Sequence, residues 1–274
     1  MSDPNWSDVV LRLTCNGADA STDFTDLSLF GHSVTNDFAV VSTAESKFGG
    51  ASMFADLSRL FIASSSGFGF GSSGAFTAEC WVKRSSPPLT TRCLFDFRNA
   101  SDSSQRLILQ IYGDGTIGFD YGSSFTQVTS STGDTILSDD VWCHCAWSYD
   151  GTTMRCLFDG EEVLSHAVSL AGGSSRALYL CDRYEYGYDM VGYVDDIRVT
   201  KGVARYTASF TAPTAELPTT GAPPPSNDAY LAIDGILDAT GVLLAIGEVA
   251  LVAQISDSGP LGQPSSLARV DFTG

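Results

Sequence analysis

The sequence predicts an all-β protein folded as an antiparallel sandwich of two sheets. Three observations lead to this prediction: runs of alternating apolar and polar residues, turn signals about every ten residues, and no amphipathic helical stretch between them. The 27 glycines and the 11% of aromatic residues favour short strands joined by tight turns over helices. At 274 residues, the chain can bury a sizeable core.

The first strands are identified from their periodicity. Residues 9–14 predict an N-terminal strand, which a glycine-containing turn follows. Residues 76–83 alternate in character, so that their apolar positions share one face, namely Phe76, Ala78, Cys80 and Val82. The second face carries Thr77, Glu79, Trp81 and Lys83. This pattern predicts a half-buried strand.

The later strands are identified from their turns. Asp-Gly pairs, which supply the positive φ angles that a hairpin needs, occur at residues 114–115, 150–151 and 159–160. They predict a hairpin within residues 106–121 and a three-stranded meander that starts at residue 142. Residues 178–181 and 191–200 add two further strands.

The charge balance restricts the possible partners. Acidic residues outnumber Lys plus Arg by 32 to 15, so phosphate backbones and anionic membranes would both be repelled. The N-terminus has no basic region followed by an apolar one, and no run of the chain is apolar enough to span a bilayer. We therefore expect a soluble protein made in a cytoplasm without a signal peptide, with no nucleic-acid partner and no membrane insertion.

The cysteines indicate buried thiols. They number seven, so at least one must be free. Cys143, Cys145 and Cys156 could be considered as ligands of one metal ion. The sequence has no second C-x-x-C pair, however, to complete a tetrahedral zinc site. Cys80 and Cys145 lie within apolar alternations, where a reduced thiol packs as a small hydrophobe.

Composition changes after residue 215. Prolines at 218 and 223–225 predict an extended linker over residues 217–226, which separates a domain at residues 1–216 from a tail at residues 227–274. Residues 246–255, IGEVALVAQI, form an apolar run that would aggregate if it were exposed. We expect the tail to be a short β-rich attachment or oligomerisation segment. The competing interpretation is that it folds back onto the sandwich as edge strands.

Six segments in order carry a resemblance to the laminin-G-like, concanavalin-A-like jelly-roll family. They extend over roughly residues 5–215 and are DVVLRL at 8–13, SKFGGAS at 46–52, FTAECWV at 76–82, WCHCA at 142–146, FDG at 158–160 and GYVDDIRV at 192–199. The resemblance implies a jelly-roll sandwich that binds sugars or proteins, on its concave sheet or through its rim loops. Fold alone does not fix function.

Residues 196–213, DIRVTKGVARYTASFTAP, are similar to a version of this domain that is frequent in tail-fibre and decoration proteins of tailed bacteriophages. The segment SDSGPLGQP at 256–264 also resembles parts of phage tail proteins. The resemblance implies a virion protein that is lectin-like and binds host-surface polysaccharide during adsorption. The alternative is a structural capsid or tail decoration without a glycan ligand. Other virion proteins, reached through residues 227–274, and sibling copies in a homo-oligomer are the further expected partners.

Catalysis is not expected. Laminarinase-type relatives carry their paired carboxylates, about 5 Å apart, on one strand as Glu-x-Asp-x-x-Glu, a string that this sequence lacks. Glu161 and Glu162 are adjacent and would point to opposite faces of a strand. His144 has no nucleophile motif around it and is predicted to be a hydrogen-bonded structural residue. His32 and His166 are isolated in the sequence.

The resemblance also implies a structural Ca²⁺ between the N-terminal strand and the aspartate of the final strand. Asp195 occupies that position, and carbonyl oxygens around Asn16 and Gly17, or the side chain of Asp19, would complete a site of hard oxygen ligands. Many relatives carry Asp where this chain has Asn16, so one charge is lost. The alternative role for Asp195 is a hydrogen bond to the backbone.

The strongest candidate for ligand binding is the segment DRYEYGYD at residues 182–189. Tyr184, Tyr186 and Tyr188 recur at every second residue, so an extended segment would project them to one side. Asp182 and Arg183 add polar groups beside these rings, a combination that suits the apolar C–H faces and the hydroxyls of a sugar. The alternative is a packing loop at the sheet edge.

Overall fold

The computed structural model describes residues 2–70, 74–85, 90–99, 101–131, 137–184 and 187–221. The chain divides into two units, Met1–Pro225 and Ser226–Gly274. The predicted attachment segment at 227–274, with its apolar run at 246–255, lies outside the described residues.

The described residues form fifteen strands and three short 3-10 turns, Trp6–Asp8, Ser66–Phe68 and Ser103–Gln105. The strands in chain order are β1 Val9–Leu13, β2 Val34–Asp37, β3 Val40–Ser42, β4 Ser52–Ala55, β5 Arg59–Ser65, β6 Phe76–Arg84, β7 Arg92–Arg98, β8 Leu107–Ile111, β9 Ile117–Tyr121, β10 Thr126–Thr129, β11 Cys143–Tyr149, β12 Thr153–Phe158, β13 Glu161–Ala167, β14 Arg176–Leu180 and β15 Gly192–Lys201.

The strands pair into two antiparallel sheets. The first has the order β13-β12-β11-β6-β15-β4-β3, and β1 also pairs with β15. The second has the order β10-β9-β8-β7-β14-β5-β2. The all-β, two-sheet antiparallel sandwich predicted from the sequence is thereby confirmed. Neighbours in each sheet come from distant parts of the chain, as when Val9 pairs with Thr200.

A hydrophobic core fills the space between the sheets. The four residues assigned to the inner face of β6 all belong to it, namely Phe76, Ala78, Cys80 and Val82. Trp147 of β11 is fully buried, and its indole N–H donates to the carbonyl oxygen of Gly118 in the opposite sheet at 2.9 Å. This hydrogen bond satisfies the polar group of a core tryptophan and joins the sheets.

The second face of β6 is also buried, so the half-buried strand was a wrong prediction. Thr77 and Glu79 are fully buried, and Trp81 is nearly so. Thr77 and Glu79 are covered by residues 203–217, which cross the outer face of the first sheet and which we call the clasp segment. Trp81 is covered by the side chains of Lys47 and Phe48. Arg205 N, for example, donates to the Thr77 hydroxyl at 2.9 Å. The clasp segment lies more than a hundred positions away from β6 in the sequence. Alternation within β6 therefore cannot reveal that its outer face is covered.

The Asp-Gly turns form the predicted connections. Gly115, Gly151 and Gly160 all have positive φ angles, and each lies between consecutive antiparallel strands. Gly160 is constrained further, because a Cβ there would collide with the carbonyl oxygen of Phe210 in the clasp segment. The turn at Gly160 therefore also packs against the clasp segment.

Residues 217–221, which we predicted to begin the linker, pack against the sandwich. Leu217 is buried, and its N–H donates to both carboxylate oxygens of Asp196 at 3.0 and 3.2 Å. The guanidinium of Arg12 donates to the carbonyl oxygens of Leu217 and Pro218 at 2.7 and 3.2 Å. Gly221 forms a bridge with Asp3. The sandwich thus extends past the predicted boundary at residue 216.

Candidate functional site

The segment at 182–189 lies at the end of β14 and forms a closed loop. Asp182 is buried, and its Oδ1 accepts hydrogen bonds from the N–H groups of Arg183 at 2.7 Å and Tyr188 at 2.9 Å. Burial raises the pKa of Asp182. Asp182 therefore uses its Oδ1 to hold the two ends of the loop together. Tyr186 lies outside the described residues.

Arg183 likewise makes contacts within the domain. Its guanidinium stacks 3.7 Å from the centroid of the Tyr188 ring, lies 3.0 Å from Asp120 Oδ2 and contacts Gln110 Oε1. Tyr188 is thus covered from one side, whereas 57% of Tyr184 is exposed. The rings of Tyr184 and Tyr188 have different neighbours, Tyr179 and Arg183, and the predicted row of three tyrosines, which includes Tyr186, stays a prediction.

Tyr184 continues a row of rings on the outer face of the second sheet. Its centroid lies 5.6 Å from that of Tyr179, and the Tyr179 centroid lies 4.8 Å from that of Phe61. Tyr179 pairs with Phe61 across β14 and β5, so both rings leave the same face of the sheet. We call Phe61, Tyr179 and Tyr184 the aromatic strip. Alternation in β5 and β14 could have indicated the first two of these residues.

Charged groups flank the aromatic strip. The guanidinium of Arg59 lies 5.1 Å from the Tyr179 ring centroid, and that of Arg98 lies 5.5 Å from the Tyr184 centroid. Asp96 is fully buried; it accepts from Arg98 Nε and from the N–H of Tyr184, the latter at 3.0 Å. The strip therefore combines aromatic rings with guanidinium groups that lie over two of them, and both kinds of group occur in saccharide-binding surfaces.

Asp195, the predicted metal ligand, is fully buried in β15. Its Oδ2 accepts from the N–H groups of Lys47 at 2.9 Å and Phe48 at 3.1 Å, whereas its Oδ1 has no hydrogen-bond partner among the described residues. Burial raises the pKa of this carboxyl to about 7. A buried carboxylate oxygen without a partner needs either a proton or a cation.

The other two predicted ligands differ in position. The side-chain amide of Asn16 packs against Gly49, next to the 47–48 backbone that binds Asp195, and it donates to Glu216 Oε1 at 2.6 Å. Asp19 instead accepts from the N–H and hydroxyl of Thr43 at 2.9 and 3.2 Å. No group of three or more His, Cys, Asp or Glu side chains suited to a metal ion occurs in the described part of the chain. Sequence reasoning did not identify Glu216.

A buried charge network lies under the clasp segment. Glu79 accepts from Arg198 at 2.8 and 2.9 Å and from the Tyr206 hydroxyl at 2.6 Å, and His144 Nε2 lies 3.1 Å from its carboxylate. Burial opposes ionisation of Glu79, but Arg198 and the hydrogen bonds from His144 and Tyr206 outweigh it and hold its pKa below the ordinary value. His144 is fully buried here, which confirms its predicted structural role.

The clasp segment supplies further contacts around this network. Phe210 stacks on Tyr206 with 3.7 Å between ring centroids, and its N–H donates to the carbonyl oxygen of Gly160 at 2.8 Å. Arg205 donates to Asp3 at 2.8 and 3.1 Å. Arg205, Tyr206 and Phe210 thus attach the clasp segment to the rest of the domain.

His32, which the sequence suggested to be isolated, is hydrogen-bonded at both ring nitrogens. Its Nδ1 lies 2.7 Å from Asp26 Oδ2, and its Nε2 lies 2.9 Å from the Ser65 hydroxyl. The expectation was wrong because Ser65 belongs to β5, 33 residues further along the chain.

Among the described residues, no helix is both long and apolar enough to cross a membrane.

Residues 61–205, more than half of the chain, match the family Laminin_G_3, described as the concanavalin A-like lectin/glucanases superfamily. No curated protein matches the chain. Solved structures match it at identities low enough to indicate the fold alone.

One such structure is domain 4 of AbnA, a GH43 extracellular arabinanase from Geobacillus stearothermophilus, in complex with arabinotriose. The TM-score is 0.52 at 17% identity, over 72% of this chain and 96% of that one. The binding domain of botulinum neurotoxin DC in complex with rat synaptotagmin II gives 0.53 at 10% identity, over 78% and 50%. A structure of botulinum neurotoxin type C, whose cell entry is described as dependent on two ganglioside molecules, gives 0.51 at 8%, also over 78% and 50%. The chain thus spans half of each neurotoxin chain.

Proposed function

Because the chain belongs to the concanavalin A-like lectin/glucanases superfamily, we propose that it is a glycan-binding protein that does not cleave glycosidic bonds and whose sugar site is the aromatic strip. The observation that carries the proposal is the row of three rings on one sheet face, with centroid separations of 4.8 and 5.6 Å. Neighbouring sugars of a glycan could stack on successive rings through their C–H faces. The guanidinium groups of Arg59 and Arg98 lie over two of the rings and could donate hydrogen bonds to sugar hydroxyls.

The structural neighbours support this ligand class. The arabinanase domain carries an arabinotriose, and the neurotoxin is described as interacting with gangliosides. The sequence of this chain lacks the laminarinase string, which agrees with sugar binding without hydrolysis of glycosidic bonds.

The biological setting that we propose is the surface of a bacteriophage particle, where binding of host polysaccharide would assist adsorption. The supporting observation is the resemblance of residues 196–213 to phage structural proteins. A structural decoration without a glycan ligand is the competing function. Residues 227–274 would provide attachment to other virion proteins or to sibling copies.

We also propose a structural Ca²⁺ at Asp195. The free Oδ1 of Asp195 and the carboxylate of Glu216 are hard oxygen ligands, and the amide of Asn16 contacts both Glu216 and the loop that binds Asp195. Asp19 fits less well, because Thr43 already engages its carboxylate. The ion would neutralise the buried carboxylate and tie β15 to the loop at 47–49. Metal analysis of the purified protein, together with melting curves in EDTA and in Ca²⁺, tests this part of the proposal.

Glycan binding is tested on an array that includes arabino-oligosaccharides and sialylated glycans, followed by titration of the best short oligosaccharide. Tyr184→Ala should weaken binding at least tenfold, about 1.4 kcal/mol, because it removes the exposed ring of the strip. Phe125→Ala is the matched control: Phe125 is also an exposed aromatic residue, but it follows β9, three strands away from β14. Equal affinity of Tyr184→Ala and the unmodified protein would contradict the assignment of the site. Absence of any glycan ligand would favour the decoration function.

A further inference from the structure

A hydrogen-bonded chain of acid, imidazole and hydroxyl lies at the open end of β5. The carboxylate of Asp26, the ring of His32 and the hydroxyl of Ser65 follow one another at 2.7 and 2.9 Å. We propose that these residues form a catalytic triad that hydrolyses uncharged esters of apolar carboxylic acids. The proposal is independent of glycan binding. It does not conflict with the lack of a glycosidase carboxylate pair, since that absence concerns glycosidic bonds only.

The direction of each hydrogen bond follows from what the groups can donate. An ionised Asp26 can only accept, so Nδ1 of His32 must carry the proton of the short bond to its Oδ2. Nε2 of a neutral ring then has a free lone pair, and the Ser65 hydroxyl must be the donor. This is the tautomer in which a histidine can take the proton of a serine nucleophile.

The carboxylate that orients His32 is rigidly fixed. Asp26 Oδ1 accepts from the N–H groups of Arg12 and Ser28 at 3.0 and 2.9 Å. Its Oδ2 accepts from the Ser28 hydroxyl and from the N–H of His32, both at 2.9 Å. The side chain is fully buried. An acid held by so many donors is fixed in one orientation, which is the role of the third member of a triad.

The imidazole is held in place as firmly as the acid. Its ring stacks between Phe30, at 5.4 Å and 5°, and Phe68, at 5.0 Å and 19°. Only 9% of its side chain is exposed. The ring therefore needs no reorganisation before proton transfer, and a pre-organised base is worth more than a free one.

Ser65 stands where a nucleophile could meet a substrate. It is half-buried at the last position of β5, immediately before the turn Ser66–Phe68. Its oxygen accepts from the N–H of Gly67 at 3.1 Å, so a backbone dipole stabilises negative charge on Oγ. The substitution of a larger residue for Gly67 would crowd this oxygen, because a Cβ there would lie 3.3 Å from Oγ and 3.2 Å from the Phe30 ring.

Exposed apolar side chains next to the triad indicate the substrate class. Leu27, Leu29 and Phe30 are 40%, 69% and 45% exposed, and the Phe30 ring directly covers His32. Exposed apolar groups clustered at one loop mark a surface that binds an apolar partner. A small acyl or aryl group could bury itself there. The net charge of −17 disfavours anionic esters.

The reaction has two balanced steps. Ser65 Oγ bonds to the ester carbonyl carbon while its proton passes to His32 Nε2, and the C–O bond then breaks as the leaving alcohol takes that proton. Water attacks the acyl-serine in the second step, with His32 again accepting and returning the proton. The products are the alcohol and the carboxylic acid, and water is the only co-reactant.

The first test is covalent labelling of the unmodified full-length protein with a fluorophosphonate, followed by peptide mapping. The phosphonyl group should appear on Ser65. A lack of modification at Ser65, under conditions that fully label a reference serine esterase, would overturn the proposal. The chain of hydrogen bonds would then serve only to fix the loop at 24–33. This test needs no variant, so it does not depend on whether a substitution folds.

The second test is hydrolysis of p-nitrophenyl butyrate. Ser65→Ala and His32→Gln should each lower kcat at least about a hundredfold, because both the nucleophile and its base are required. Ser66→Ala is the matched control, since Ser66 is an exposed serine one position away whose backbone carbonyl oxygen accepts hydrogen bonds from Lys201 and Gly69. Hydrolysis that persists in a folded Ser65→Ala variant would also overturn the proposal. Binding of arrayed glycans is measured separately, so failure of one function leaves the other distinguishable.

Discussion

The buried carboxyl of Asp195 allows a quantitative prediction for Asp195→Asn. Folding moves this group from water to a site with no exposure, where Lys47 and Phe48 satisfy only one of its two oxygens. Burial accordingly raises its pKa from 3.8 to about 7. The folded chain therefore holds a proton that the unfolded chain releases at mildly acidic pH.

The sign and size of the effect follow from this difference. Between pH 4 and pH 7 only the folded protein keeps the proton of Asp195, so the free energy of unfolding falls as the pH rises through this window and levels off above it. One pKa unit corresponds to about 1.4 kcal/mol, so this residue alone makes the protein about 4 kcal/mol less stable at pH 8 than at pH 4. The side-chain oxygen of asparagine can still accept from the two backbone N–H groups. Its amide does not titrate, so the variant lacks this pH-dependent contribution to stability.

The measurement is urea unfolding of both proteins in EDTA at pH 4 and pH 8. The stability of Asp195→Asn relative to the unmodified protein should improve by about 4 kcal/mol between the two conditions. The cost of placing an amide nitrogen at the site of Oδ1 is the same at both pH values and cancels. Asp56→Asn, at an exposed position, controls for the loss of one charge.

Calcium provides an additional comparison. If the ion binds as proposed, added Ca²⁺ at pH 8 should stabilise the unmodified protein and leave Asp195→Asn unchanged, because only the former can neutralise the ion. An equal stability difference between the two proteins at pH 4 and pH 8 in EDTA would refute the burial argument.

Three further predictions concern the sandwich itself. Glu79→Gln should destabilise the protein by about 1.5–3 kcal/mol in urea unfolding, because it removes the charge of one of the two buried carboxylates that pair with Arg198, and Asp3 remains; a change below about 1 kcal/mol would contradict this. Gly160→Ala should cost more than about 1 kcal/mol, given its φ of 85° and the carbonyl of Phe210 beside it, and an unchanged melting temperature would argue against that packing. All seven cysteines are free and buried, so a thiol reagent should label none in the native protein and seven after denaturation; rapid native labelling would be inconsistent with their burial.

The strands could be predicted because the signals that specify them are local. Alternation over a few residues identified the inner face of β6, and Asp-Gly pairs located the turns on both sides of β12. The outer face of β6 could not be predicted in the same way. Its polar residues read as solvent-facing until the clasp segment, which pairs Tyr206 with Glu79 across 127 positions, is known to cover them.

The candidate sites also include features that the sequence indicated and features that only the tertiary structure shows. The chemistry of the tyrosine-rich segment was evident from its composition, and Tyr184 is exposed as a ligand-binding ring should be. Its neighbours Phe61 and Tyr179 become part of the same surface only through strand pairing. The contact of His32 with Ser65 also depends on tertiary structure, because the loop that precedes β2 has no periodicity that would indicate the position of its side chains.

The bridge between Asp3 and Gly221 has a consequence for how such a domain can be used. The N–H of Asp3 donates to the carbonyl oxygen of Thr220 at 3.0 Å, so the chain enters and leaves the sandwich at adjacent points. A domain with this property can be inserted into a surface loop of another protein without separating the two ends of that loop. It could equally be joined across residues 3 and 221 and opened at the turn between β11 and β12. The same sandwich is therefore transferable between proteins as a single unit.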